Sequence, residues 1–480
     1  MENHMLPWKK KLTERRKVWL CQQYHAPSNI SQKRIFYVAL MRLCLLWVVL
    51  VAPFVVCEGE NYCYANLSNP YTMFSTYTPY EYVREKQVHP VKIPQCKPLQ
   101  LWLLSRHGTR YPDEGTISRM WTLPELLDQI ASNHYILKMG NLCVQDLENL
   151  RKWTPQAVST VAMSLTSQGY KDMYKMAQRF KIRFPSLLNK SYHPDLFEVQ
   201  FTNTQRTTLS AYAFIDGIFG TTINVKLPRP NPGDKLLKPH SRCNAWIQEV
   251  DKNEDTLREK MAFDSSEHMR SLIQAVSTRL GFKHELSHSY VDSMYITCRF
   301  EKAWRVKELS PWCAVFSEEE LKILEFRDDL KYYYFLGYAN EINKKVGCPP
   351  AKDFLYRFSQ LEMGDAQPAG VFYFSHDTVL QLFFTSIDIG KDEVPLTHSN
   401  FEEMRDRQWR TSILTPFAGN FAAVFFKCNG NESHKVQFYL REKLLDMDGC
   451  DEGLCDWSYI KQKYNSIIKK CNLDFCELKR

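Results

Sequence analysis

The chain has 480 residues, 44% of them hydrophobic and 13% aromatic, an ordinary globular composition with room for a large core and two or three structural units. Lys and Arg number 62 against 54 Asp and Glu, a formal charge of +8. That excess favours anionic partners but lacks the dense basic runs of nucleic-acid binders, so nucleic acid is set aside as a partner.

The first 57 residues read as a basic leader followed by an apolar run. Residues 35–57, IFYVALMRLCLLWVVLVAPFVVC, are apolar apart from Arg42, and a cluster of lysines and arginines between Lys9 and Arg34 precedes them. Positive charge on that flank stays cytoplasmic, and the chain beyond the apolar run is exported. The run is long enough to span a bilayer as an uncleaved anchor, or it is a signal peptide cut near Cys57. A chain started at Met41 would carry a signal peptide of ordinary length, and cleavage is the preferred reading. The expected location is therefore the secretory pathway: the lumen of the endoplasmic reticulum, the cell surface or the extracellular space. A membrane is a partner only if the segment stays uncleaved.

Three of the fifteen cysteines lie at or before Cys57, which leaves twelve for the exported part. An even number in an oxidising compartment reads as disulfides. The four in the tail have no C-x2-C spacing and no histidine beside them, so a zinc ribbon is not expected. Asn66, Asn189 and Asn431 begin N-x-S sequons, expected as glycosylated surface positions.

Beyond the leader, three segments read as buried strands that end in charge: LQLWLLS at 99–105 before Arg106, LFEVQFTNT at 196–204 before Arg206, and GVFYFS at 370–375 before His376 and Asp377. Helical patterns separate them, such as residues 166–184, where Met173, Met176, Ala177 and Phe180 recur at helical spacing. Continuous apolar strands belong in sheets covered on both faces. The fold class is α/β, a mainly parallel sheet sandwiched by helices. Ligands bind beyond the carboxyl ends of such strands, where all three charged clusters fall.

Between residues 226 and 352 the texture changes to a proline-rich connector and helix formers, with Ser317 and Glu320 spaced as a capping box. This stretch is expected to be a mainly helical cap inserted into an α/β domain made of 62–225 and 353–480. Cations of the connector, Lys226, Arg229, Lys235, Lys238 and Arg242, could serve an anionic substrate, or equally be a solvated linker, and are left out of the site.

The sequence RHGTRYP at 106–112 carries two forked guanidinium donors suited to phosphate oxygens, and a glycine that lets backbone come close. Finding R-H-G-x-R-x-P by accident has a probability of roughly one in ten thousand for a chain this long at average residue frequencies. Together with TQRTTLSA and FSHDT, the motif resembles the histidine acid phosphatases, the branch of the histidine phosphatase superfamily that includes phytases. Within that branch, residues 298–334 and 416–428 look like the multiple inositol polyphosphate phosphatases.

The resemblance implies His107 as a nucleophile that becomes phosphohistidine, and Asp377 as proton donor to the leaving alcohol. It implies Arg106, Arg110, Arg206 and His376 as ligands of the transferring phosphate, with no metal or other cofactor. The implied partner is a small phosphorylated anion of the phytate kind. Two features depart from the family pattern. Many multiple inositol polyphosphate phosphatases carry His-Ala-Glu where this chain has His376-Asp377-Thr378, and Asp113 stands where relatives often place a phosphate-binding hydroxyl. A carboxylate there would repel phosphate, so that role is not transferred. Asp377 must carry a proton to act as donor, and an anionic substrate beside it raises its pKa.

A broad-specificity histidine acid phosphatase is the near alternative. A non-catalytic cell-surface anion-binding protein is the alternative from another class, disfavoured by the intact His107 and Asp377. The DMDG sequence at 446–449 resembles a metal-dependent phosphatase motif or a calcium loop. Cys450 stands where a threonine or valine is needed, and Trp457 where the closing glutamate is needed, so both are rejected. No cysteine is followed six residues later by arginine, and no phosphate-binding loop or serine-hydrolase elbow is present.

Overall fold

The computed structural model describes residues 62–220, 225–231, 233–430 and 434–477. The leader at 1–57 and Asn431 lie outside them. Seven strands form one sheet. They are β1 (Cys96–Arg106), β2 (Phe197–Phe201), β3 (Gly370–Ser375), β4 (Asn420–Cys428), β5 (His434–Leu440), β6 (Lys443–Leu444) and β7 (Leu454–Asp456). The order is β2-β3-β1-β4-β5-β6, with β7 also on β5.

The three strands expected from the sequence are parallel to one another, β3 lying between β2 and β1. The sheet is extended on the other side of β1 by antiparallel pairing with β4 and then β5. Register explains why the three charged clusters meet. Phe374 is level with Phe201 on one side and with Ser105 on the other, so the parallel strands end in the same row.

Alternation along these strands serves two cores. Leu101, Leu103, Phe372 and Phe374 face α2 (Ser167–Arg183) and α3 (Gln205–Phe219), whose Met173, Met176, Phe180 and Phe214 fill the same cluster. Trp102, Leu104, Val371 and Tyr373 face the other way. There they join residues of α4 (His288–Trp304), α5 (Glu318–Phe335), α6 (Cys348–Met363) and α7 (Asp377–Ser386). No strand lies between Phe201 and Gly370 among the described residues, and α4, α5 and α6 of that stretch share one apolar cluster with a face of the sheet. The capping box is formed: the Ser317 hydroxyl accepts from the Glu320 N–H, and the Glu320 carboxylate accepts from the Ser317 N–H.

All twelve cysteines beyond residue 57 pair: Cys63–Cys143, Cys96–Cys428, Cys243–Cys476, Cys298–Cys313, Cys348–Cys471 and Cys450–Cys455. The DMDG turn is thus tied by a local disulfide, and the last two tail cysteines anchor the carboxyl end to α6 and to the connector. Asn66 and Asn189 are exposed, as a glycan requires. Among the described residues no helix is long and apolar enough to cross a membrane.

Candidate active site

Each parallel strand delivers its charged residue in the same way, by running directly into a turn or a helix. After β2, Thr204 caps α3 by accepting from the Thr207 N–H, which puts Arg206 in the first turn. After β3, His376 is the residue before α7 and Asp377 is its first. After β1 the loop 107–113 turns back over α2.

That loop is held by a contact between glycines. A Cβ on Gly108 would sit 2.2 Å from the Gly169 carbonyl oxygen, and one on Gly169 would sit 2.1 Å from that of Thr109. Gly108 thus lets the backbone of α2 come close. The adjacent Thr109 hydroxyl donates to buried Asp172 at 2.8 Å, and Gln168 donates to the other oxygen at 2.7 Å. We predict that Gly169→Ala pushes the loop off the helix, lowering stability by about 1–3 kcal/mol. It should cut kcat by a factor on the order of 10² through misplacement of His107. A thermal melt and a steady-state assay on one preparation check both.

His107 is 2% exposed, and its Nδ1 lies 2.8 Å from the Gly108 carbonyl oxygen. A carbonyl only accepts, so Nδ1 carries the hydrogen and Nε2 keeps its lone pair. Burial holds the imidazole well below its ordinary pKa, and Arg106, His376, Arg206 and Arg110 press in the same direction. The ring is therefore neutral, as a nucleophile requires.

Arg106 is buried. It donates through one nitrogen to the carbonyl oxygens of Thr76 and, at 2.9 Å, Thr415, and its guanidinium stacks 4.6 Å from the centre of the Phe417 ring. Its other terminal nitrogen is 3.6 Å from the Asp377 carboxylate. Both carbonyl-bearing segments are constrained. Ser75, next to Thr76, has φ +53°, and Ala418, whose N–H donates to the His107 carbonyl oxygen at 3.0 Å, has φ +54°. Such backbone persists only where its surroundings over-determine it.

Arg110 is half-buried between the rings of Tyr77 and Phe300, 6.0 and 5.8 Å from their centres, and among the described residues no carboxylate lies within ion-pair distance of it. Among the described residues Arg206 likewise has none. Burial and then the charge of Arg110 lower it to about 10, so it stays charged at neutral pH. His376 accepts from Arg206 at 3.4 Å through Nδ1. Its Nε2 lies 3.0 Å from the Thr202 hydroxyl, which is already donating to Thr207, so Nε2 carries the hydrogen. Burial, then Arg206, holds this imidazole neutral too.

Burial pushes the Asp377 carboxyl up, but Arg106, Arg110, His376 and the Thr378 N–H outweigh it and hold it below the usual range. Its place at the start of α7 acts in the same sense. Without substrate Asp377 is ionised, so the proton it must donate arrives with, or because of, the substrate.

The structure gathers all six residues at the strand ends and turns Asp113 away. Asp113 caps α1 (Glu114–Met120), accepting from the Thr116 N–H at 3.0 Å and from its hydroxyl at 2.8 Å. Burial is the largest single influence and raises this carboxyl, but the Thr116 bonds, its own N–H and Arg110 together outweigh it and keep it ionised and occupied. Asp113→Ala should therefore cost about 1 kcal/mol of stability, an ordinary cap loss, and leave kcat/KM within about twofold. Phosphatase kinetics alongside a denaturant midpoint test this.

Sequence reasoning missed the carbonyls of Thr76 and Thr415 because backbone acceptors leave no side-chain signature. It also missed Trp304, whose indole donates to the Arg110 carbonyl oxygen at 3.1 Å. Among the described residues the one cluster of metal-type ligands is Cys63, Cys143 and Asp146. Its sulfurs are joined in a disulfide, and its carboxylate accepts from the N–H groups of Tyr64 and Ala65.

A neutral histidine with a free Nε2, ringed by three arginines of which only Arg106 pairs with the single facing acid, Asp377, defines a histidine phosphatase. The chain belongs to branch 2 of the histidine phosphatase superfamily, whose family model matches residues 99–442. Among its relatives, multiple inositol polyphosphate phosphatase 1 of Drosophila melanogaster is 32% identical over 445 residues, covering 90% of this chain and 93% of that one. The human protein of the same name is 27% identical over 406 residues, covering 80% and 82%. The crystal structure of a phytase from D. castellii superposes with a TM-score of 0.65 at 17% identity, covering 86% of this chain and 90% of that one. That of a Bifidobacterium longum multiple inositol polyphosphate phosphatase with inositol hexasulfate gives 0.61 at 13%, covering 85% and 99%. At those identities the two structures speak for the fold alone.

Proposed function

We propose that this enzyme hydrolyses phosphomonoesters of inositol polyphosphates through a phosphohistidine at His107. The observation that carries the reading is the fixed tautomer: Nδ1–H on the Gly108 carbonyl, Nε2 unprotonated among Arg106, Arg110 and Arg206. The names of the relatives in fly and human point to the substrate class.

In the first step the Nε2 lone pair attacks phosphorus, and the bond to the ester oxygen breaks. The arginines take up charge on the transferring group. The bonding electrons go to the leaving oxygen, which takes a proton from Asp377. In the second step water attacks phosphohistidine, gives a proton to the Asp377 carboxylate and releases phosphate, restoring neutral His107.

Residues 226–352 act in this reading as a cap over the substrate. Trp304 supports the Arg110 backbone and Phe300 flanks its guanidinium. The protein works in the secretory pathway, with glycans on Asn66 and Asn189. The broad-specificity reading draws on one observation, the His376-Asp377 pair in place of His-Ala-Glu.

Incubating the purified protein with inositol hexakisphosphate or with 4-nitrophenyl phosphate in excess chelator tests the two. Phosphate release from the inositol ester is expected. Its absence sinks the inositol reading, and preference for the aryl ester supports the general phosphatase.

A further inference from the structure

The five cations of the connector go to different places. Lys226 and Arg229 line a cavity of about 580 Å³ along the outer edge of β2. Lys235 lines another, of about 430 Å³, with Lys352 and Asp353. Arg242 is exposed. Lys238 alone is brought to the catalytic centre.

The reason is a single tether. The Ser375 hydroxyl donates to the Leu237 carbonyl oxygen at 2.7 Å, which fixes the connector to the end of β3, one residue before His376. The flanking Leu237 and Pro239 side chains are buried, and Lys238 between them is half-buried. It lies near enough to Arg206 and His376 to oppose positive charge on both. Burial, then Arg206, holds the ammonium below its ordinary pKa.

Charge at the site is out of balance. Arg106, Arg110 and Arg206 act with one carboxylate, Asp377, and Lys238 adds a fourth cation beside Arg206. Among the described residues no acid lies within ion-pair distance of Lys238. Asp234, the acid that acts on it from further off, spends one oxygen on the N–H groups of Leu236 and Leu237. Three arginines suffice for the oxygens of one phosphoryl group. A fourth cation, half-buried beside a guanidinium, is unfavourable unless an additional anion binds there.

We propose that Lys238 is a specificity-determining residue that holds a second phosphate of the same substrate molecule. The proposal deepens the inositol polyphosphate reading and rests on it. It explains how the site would favour a polyanion over a monophosphate of equal reactivity.

Binding calorimetry separates this from the reading beneath it, because it needs no turnover. Inorganic phosphate and inositol hexasulfate are titrated into the full chain as wild type, Lys238→Ala and Lys238→Arg. Lys238→Ala is expected to weaken hexasulfate roughly ten- to a hundredfold, the range of one charged hydrogen bond. Phosphate should stay within about twofold, and Lys238→Arg should recover most of the loss. Equal weakening of both anions would place Lys238 on the reacting phosphate and overturn the proposal. No weakening of either would show a solvated cation and overturn it as well.

Discussion

Replacing His107 by alanine is expected to lower kcat for any phosphomonoester by a factor on the order of 10⁴ to 10⁶, the range seen when a covalent nucleophile is deleted. The fall should be in kcat with little change in KM, because the arginines that hold the ground-state phosphate remain. The fold should survive, since the side chain makes one local hydrogen bond, to the neighbouring Gly108 carbonyl. Activity kept within tenfold of wild type would mean that water attacks the ester directly. The wild-type enzyme should also show no loss of activity near pH 6.5 from protonation of this ring. Burial first, then four neighbouring positive or potentially positive groups, holds its pKa well below that value.

Asp377→Asn is the second large effect, and its size should depend on the leaving group. Asparagine cannot give a proton to an inositol alkoxide, so turnover of the inositol ester should fall by about 10²–10⁴-fold. A nitrophenolate leaves without help. With that ester the first step survives and the second does not, because asparagine cannot take the proton from water. A pre-steady-state burst of nitrophenolate is therefore expected from the variant. Equal losses on both esters with no burst would contradict the acid–base role.

The electrostatics of the site add a pH prediction. Asp377 is held ionised there despite burial, by Arg106 first among its partners, so the leaving-group proton arrives with the substrate or is taken up because the substrate's charge raises this carboxyl. Phosphomonoesters lose their second proton near about pH 6. Above that pH fewer complexes hold the proton, and kcat/KM should decline as pH rises. A rate that climbs with pH would show that no such proton is needed.

Much of this centre is legible in the sequence for a physical reason. A strand buried on both faces must be apolar throughout, so the abrupt polar residue at its end marks where backbone leaves the sheet. Arg106, Arg206 and His376 are read that way, and parallel pairing brings their ends level. Asp113 could also have been read: an acid three residues before Thr116, with Glu114 in the first turn, is an ordinary helix start. It is missed when a carboxylate beside arginines is weighed only against phosphate.

Other parts leave no local trace. The run Asn420–Cys428 is as apolar as β1, but nothing in it states that it pairs antiparallel. The helices between 226 and 352 show buried faces, yet periodicity cannot say that those faces share a core with Trp102 and Tyr373. Lys238 looks like any connector lysine until the Ser375–Leu237 bond fixes it beside Arg206. Arg106 is oriented by carbonyls some 30 and 309 residues away in sequence, a distance no motif spans.

The most direct test of the account is to trap the intermediate. Wild-type enzyme is mixed with 4-nitrophenyl phosphate, quenched in alkali within the first turnovers, digested and analysed by mass spectrometry. A single phosphoryl group on His107, absent from the His107→Ala digest, is the predicted result. Phosphate on any other residue, or full turnover with no phosphorylated enzyme at any time after mixing, would contradict it.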